Sequence, residues 1–245
     1  MGEDFSHNKQ ASMSPLLQRY RNIQEQIADF CAKYDRPRDD VRLLAVGKKH
    51  PLASIQELHS AGHRHFGENY LQEAEDKIQQ FNYSQNSISD QPEWHFIGHI
   101  QSRKSAQIAQ LFNWVHTVAS EKVANKLNQA RIEGSPLNVL IQLNLQQEES
   151  KSGIPESELL PLAEKIQSMD NLRLRGLMIL PKAEQDFGRQ REVFGRCRKI
   201  LQKLQNQGFP LDHLSMGMTN DLEAAIAEGA TQVRIGTALF GPRPD

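Results

Sequence analysis

Two patterns alternate along most of this chain: short runs of consecutive apolar residues, and segments whose apolar residues recur every three or four positions. The first pattern reads as strands buried on both faces, the second as helices with one buried stripe. The opening element is helical. Ser14 and Pro15 form an N-cap and first-turn pair, and Leu16, Tyr20, Ile23, Ile27, Phe30 and Tyr34 then mark one face of an amphipathic helix. Residues 1–13, ahead of it, are polar and expected to form a disordered tail.

From residue 42 onward the alternation is regular. Strands are expected at 43–46, 63–66, 94–97, 114–118, 137–143, 172–179, 211–214 and 232–235, with helical patterns between them, among them 52–61, 121–132, 156–168 and 185–207. Ser120 can cap the helix that follows it, and Gly62 can end the helix before it. Residues 82–93 show no hydrophobic period and read as a surface loop. Eight strand–helix units in series favour an α/β fold, a single closed (β/α)8 barrel of the TIM type, over an open doubly wound sheet. The first helix lies outside the repeat, so the domain is expected to span residues 14–245.

At 245 residues the length suits one such barrel. With 38% hydrophobic residues, 24% charged residues and a formal net charge of −1, the composition gives no sign of a nucleic-acid surface. No apolar run approaches the ~18 residues of a membrane span, and the N-terminus has no signal-peptide core. A soluble cytoplasmic protein is therefore expected, with neither nucleic acid nor membrane as partner. Cys31 and Cys197 fall in helical segments and fit no metal or redox spacing. Asn82-Tyr83-Ser84 matches a glycosylation sequon, which without a secretion signal is read as chance.

Chemistry is expected at the carboxyl ends of the strands, where barrels of this type open onto their binding site. The first strand runs out through Arg42–Pro51 as RLLAVGKKHP. Strand alternation puts Leu44, Val46 and Lys48 on one face and Gly47 and Lys49 on the other, so only one lysine can point into the site. Lys48 is then either a solvated strand-end lysine or a partly desolvated amine able to attack a carbonyl. Phosphate sites in such barrels tend to form after strands seven and eight. There the chain supplies Ser215, Gly217 and Thr219, then Gly236 and Thr237, residues whose hydroxyls and exposed N–H groups suit an anion but which are also common in ordinary turns. Arg234, just before the second loop, is either an ion-paired arginine or a donor to a heteroaromatic nitrogen such as that of pyridoxal phosphate. No GxGxxG follows the first strand and no P-loop occurs, which counts against a dinucleotide or nucleotide site. His63, His65, His95 and His99 read as hydrogen-bonded strand and turn residues, with no metal site expected. Glu68 reads as an acid–base group or an ion-pair partner, and Trp94 and Phe96 as packing residues.

The segments LLAVGKKHP, FGENYLQE, WHFIGHIQSRK, GLMIL, LSMGMTNDLEAAI and VRIGTALFG, in this order and spacing, resemble the YggS/PROSC family of pyridoxal phosphate homeostasis proteins. The resemblance covers nearly the whole chain from about residue 16 and implies a barrel like the N-terminal domain of alanine racemase. It implies pyridoxal 5'-phosphate held as an aldimine by Lys48, with Asn69 beside the ring. Ser215, Thr219, Gly236 and Thr237 would hold the phosphate, and Arg234 would face the pyridine nitrogen. The chain departs from the family at Gly47-Lys48-Lys49, where Ser-Lys-Thr is usual, and at Thr219, where Ser is commoner.

Two kinds of function follow from the resemblance. The first is a non-catalytic carrier that keeps the cofactor bound, supplies it to apo-enzymes and so influences amino-acid and keto-acid balance. The second is an amino-acid racemase with weak activity, which needs a second base opposite Lys48. In alanine racemases that base is a tyrosine from a further C-terminal domain of a partner subunit. None of Tyr20, Tyr34, Tyr70 and Tyr83 lies in a matching motif, and the chain is expected to lack that domain. A barrel binding some other phosphorylated metabolite is a third reading, distinguished by the absence of a carbonyl adduct at Lys48.

Overall fold

The computed structural model describes residues 13–84, 91–146 and 152–243. All but Met13 of the expected tail, part of the expected loop at 82–93, and Lys151 lie outside the described residues. Helix α1 (Pro15–Lys33) starts as its sequence dictates: the Ser14 hydroxyl accepts the Leu17 N–H at 3.1 Å, and Pro15 occupies the first turn. The repeat then begins with β1 (Arg42–Val46), α2 (Leu52–Ser60), β2 (His65–Glu68), α3 (Leu71–Ser84) and β3 (Glu93–Phe96). It continues with α4 (Ser105–Leu111), β4 (Trp114–Val118), α5 (Glu121–Ala130), β5 (Leu137–Leu143), α6 (Leu159–Gln167) and β6 (Leu172–Ile179). The last elements are α7 (Phe187–Asn206), β7 (His213–Ser215), α8 (Leu222–Ala227), β8 (Gln232–Ile235) and the single turn α9 (Thr237–Phe240).

All eight strands pair in parallel in chain order, and β8 returns to β1 to close the barrel. The closing register sets Arg42 beside Gln232, Leu44 beside Arg234 and Ala45 beside Ile235. Strand pleating then sorts side chains into two layers. Leu43, Ala45, Phe66, Trp94 and Phe96 face outward into the large core shared with the helices, so Trp94 and Phe96 are packing residues as expected. Leu44, Val46 and Ile97 make a small separate cluster, and Trp114, Leu140 and Met178 another, both inside the barrel.

The remaining interior is polar. His116 on β4 bonds to Ser215 on β7, a contact possible only across the barrel's lumen. Two elements differ from expectation. Strand β2 lies two residues later than its apolar pattern suggests, which carries Glu68 into the strand and buries it fully. Strand β7 is only three residues long, so its last residue, Ser215, still points inward instead of belonging to the loop above.

Candidate functional site

The carboxyl ends of the strands surround a cavity of about 820 Å³, lined from β1, β2, β3, β6, β7 and β8 and the segments that leave them. Lys48, Asn69, Thr219, Arg234, Gly236 and Thr237 all line it. Six residues expected to act together, far apart in sequence, are thus brought to one place.

Lys48 is half-buried in the turn after β1, while Lys49 is exposed, adopts φ +62° and does not line the cavity. Nζ of Lys48 makes no hydrogen bond or ion pair among the described residues. Burial holds its pKa below the usual lysine value, and Arg243 and Lys49 push the same way against Glu68. A larger fraction of this amine is therefore neutral, as nucleophilic attack requires. The turn is held from beneath by Lys77, whose Nζ donates to the Gly47 carbonyl and to Glu68 Oε1, both at 2.8 Å. A side chain at position 47 would meet Glu68 Oε1 at 2.9 Å and Ile55 at 3.1 Å, so here a glycine makes room for the buried carboxylate.

Asn69 follows β2 and is positioned by a close backbone contact. A Cβ at Gly98 would lie 1.9 Å from the Asn69 carbonyl oxygen, so only glycine lets the two segments approach. The side-chain Oδ1 of Asn69 is buried and has no protein partner among the described residues. An acceptor in that position is available to a ligand.

Arg234 projects from β8 and is almost fully buried. Nη1 donates to Ser215 Oγ and Nη2 to the Ile179 carbonyl, each at 2.9 Å. Desolvation lowers its pKa to about 10, so it stays charged at neutral pH. Ser215, expected at a phosphate, does not line the cavity; its hydroxyl lies between Arg234 and His116 Nδ1, the latter at 2.9 Å. Gly217 does not line the cavity either. Its φ of +95° and a Cβ position 2.5 Å from the Ala225 side chain account for the glycine through packing on α8. At Gly236, by contrast, a Cβ would meet only Val46, at ordinary distances of 3.6 and 3.7 Å. No protein atom demands that glycine, and it borders the cavity.

Beside Gly236, the Thr237 hydroxyl begins α9, and Thr219 stands in a turn fixed by the Met218 N–H donating to Asp221 Oδ1 at 2.6 Å. Both threonines are exposed toward the opening. The cavity also involves residues that the sequence did not single out: Lys182, Glu184 and Gln190 around the β6 exit, and Arg243. They belong to no short motif: the segment from β6 into α7 brings Lys182, Glu184 and Gln190 to the rim, and the segment after α9 brings Arg243.

Known proteins resemble this chain over nearly its whole length. Residues 19–244 match the family model for the alanine racemase N-terminal domain. A protein of Vibrio alginolyticus named pyridoxal phosphate homeostasis protein is 46% identical over 234 residues, covering 94% of this chain and 99% of its own. The structure of PipY from Synechococcus elongatus PCC7942 with PLP bound superposes with a TM-score of 0.79 at 31% identity, covering 92% of this chain and 100% of that one. Alanine racemase of Clostridium difficile 630 shares the fold, with a TM-score of 0.70 at 15% identity; the match covers 94% of this chain and 58% of the racemase.

Proposed function

Since the chain belongs to the alanine racemase N-terminal domain family, and within it to the pyridoxal phosphate homeostasis proteins, we propose that it binds pyridoxal 5'-phosphate in the cavity above the barrel and serves in its storage and supply. The residues present suit that ligand. Lys48 offers a half-buried amine of lowered pKa, Asn69 an unpartnered buried acceptor, Arg234 a fixed cation, and Gly236 a position where bare backbone borders the cavity. The amine carries the reading, because a site for a phosphate alone has no use for a lysine with a depressed pKa and no protein partner.

Lys48 would hold the cofactor at its aldehyde carbon, where a half-buried, partly neutral amine is suited to bind a carbonyl. Thr219, Thr237 and the Gly236 backbone are assigned to the phosphate, and Arg234 to the pyridine nitrogen. When bound, the cofactor supplies an electron-withdrawing ring conjugated to whatever its aldehyde carbon holds. Arg234 limits that capacity. A guanidinium that remains charged donates to an unprotonated nitrogen, whereas a carboxylate would keep the nitrogen protonated and the sink strong. Ser215 and the Ile179 carbonyl hold that guanidinium in one orientation.

This balance favours a carrier acting in the cytoplasm, which hands the cofactor to apo-enzymes and thereby influences amino-acid and keto-acid levels, over a racemase. The described residues that line the cavity include no tyrosine or histidine to act opposite Lys48, and Tyr70 is exposed outside it.

Absorption spectra before and after borohydride reduction, with the modified peptide located by mass spectrometry, test the attachment. A yellow protein with its adduct on Lys48, lost in Lys48→Ala, is expected. An adduct on Lys49, or no uptake of the cofactor at all, would overturn it. Solvent hydrogen exchange at Cα of alanine then separates carrier from racemase, and exchange at an enzymic rate would refute the carrier reading.

A further inference from the structure

A second cluster of donor atoms lies at the opposite end of the barrel. His65 and Glu93 are the first residues of β2 and β3 and are register partners, while His95 follows Glu93 by two positions and so shares its face. His65 Nδ1 is 3.4 Å from His95 Nε2 and 3.5 Å from Glu93 Oε2, and His95 Nε2 is 4.0 Å from the same oxygen. These separations are long for hydrogen bonds. They fit the edges of a coordination tetrahedron, because metal–ligand bonds of about 2.0–2.2 Å at the tetrahedral angle place donor atoms roughly 3.3–3.6 Å apart. Only the 4.0 Å edge is long, and Glu93, whose side chain is 46% exposed, is free to close it.

We propose that His65, Glu93 and His95 form a binding site for a divalent metal ion of the zinc class at the amino end of the barrel. None of the three lines the cavity that holds Lys48. The surroundings support each ligand in turn. The Trp114 indole N–H donates to Glu93 Oε2 at 2.9 Å and orients the carboxylate. The other nitrogen of His95, Nδ1, is 3.0 Å from His116 Nε2, which holds the ring so that Nε2 faces the cluster. Trp114 stacks on the His95 ring at 5.5 Å between centroids. Partners of this kind around a ligating imidazole fix its orientation and raise its basicity.

Donor chemistry selects the ion. Two imidazoles and one carboxylate suit zinc and its neighbours, whereas calcium and magnesium need a shell of oxygens. Arg42 acts electrostatically on both histidines and opposes any cation, so an ion held by charge alone is disfavoured and one held by nitrogen donation is not. The solvent-facing side of Glu93 leaves the fourth position to water. Bound there, the ion would tie the first residue of β2 to the start of β3.

The test uses the full-length protein, stripped with chelator, dialysed against Zn2+ and assayed for metal by elemental mass spectrometry. One zinc per chain is expected, with binding weakened at least ~10-fold in both His65→Gln and Glu93→Gln. Co2+ in place of zinc should give the visible bands of a four-coordinate nitrogen–oxygen site, absent from both variants. Urea midpoints establish that the variants fold, and having two variants keeps the test intact if one does not. Failure of the wild type to retain zinc, or equal retention by both variants, would overturn the site.

Discussion

Glu68 is the residue whose chemistry departs furthest from its sequence appearance. The motif places it at a turn; the structure buries it completely on β2, with Oε1 bonded to Lys77 and Oε2 without a partner among the described residues. Desolvation raises its pKa from 4.5 to about 7, against the opposing pull of Lys77. Between those two values an unfolded chain has lost the proton that the folded chain keeps. Stability therefore falls as pH rises across that window, by on the order of 3 kcal/mol, and levels off above it. His63 and His65 act with the opposite sign: burial lowers each to about 4, so stability is lost as pH falls below 6.5 toward that value. The wild-type curve sums these effects, and Glu68→Gln isolates one of them. Its urea midpoint should rise relative to wild type between about pH 5 and pH 8, most at the alkaline end. A difference independent of pH would show that Glu68 does not titrate in this range.

At the scale of elements, the site depends on how closely neighbouring strand ends approach. Gly98, just past β3, admits the Asn69 carbonyl where a Cβ would stand at 1.9 Å, and the obstructing atoms are backbone that no rotamer change can move. Gly98→Ala should cost about 3 kcal/mol or more and weaken cofactor retention together, because the ends of β2 and β3 must separate. An unchanged urea midpoint would mean that the two segments yield freely. That contact could not be read from the sequence, although most of the elements could. Ser14, Pro15 and Ser120 gave the starts of α1 and α5 because capping is local, and apolar runs gave the strands because each is buried on both faces. Strand β2 was placed two residues early because Gly67 and Glu68 look like a turn in sequence, although the strand runs on through them and buries Glu68. The place of Lys48 at the cavity was legible through alternation, that of Arg234 through its position near the end of the eighth strand, and that of Gly236 and Thr237 through theirs just after it. Ser215 was not, because its partners His116 and Arg234 meet it only across the lumen. The grouping of His65, Glu93 and His95 escaped for a similar reason: it depends on the β2–β3 register, which single strands do not reveal.

The whole molecule places the proposed cofactor site above its own closing seam. The pairing of β8 with β1 brings Lys48 from one strand to Arg234, Gly236 and Thr237 from the other, so barrel closure and site assembly are one event. Helix α1, outside the repeat, packs on α8 and α9 across that seam. Its arginines supply donors where the short helices run out of them: Arg19 reaches the Leu239 and Phe240 carbonyls at 2.7 and 3.0 Å. Arg36, just after α1, reaches those of Ile226 and Ala230 at 2.9 and 2.7 Å. The Lys33–Glu223 pair is different, because it is exposed and screened by solvent. Arg19→Met keeps the aliphatic stem and removes both donors at the end of α9, which begins at Thr237. It should lower stability by about 2–3 kcal/mol and speed cofactor loss, whereas Lys33→Met should leave both unchanged. Urea midpoints and the decay of cofactor absorbance on dilution measure the two effects. Were Arg19→Met to lose stability yet hold the cofactor as long as wild type, the seam would be a structural joint with no bearing on the site above it.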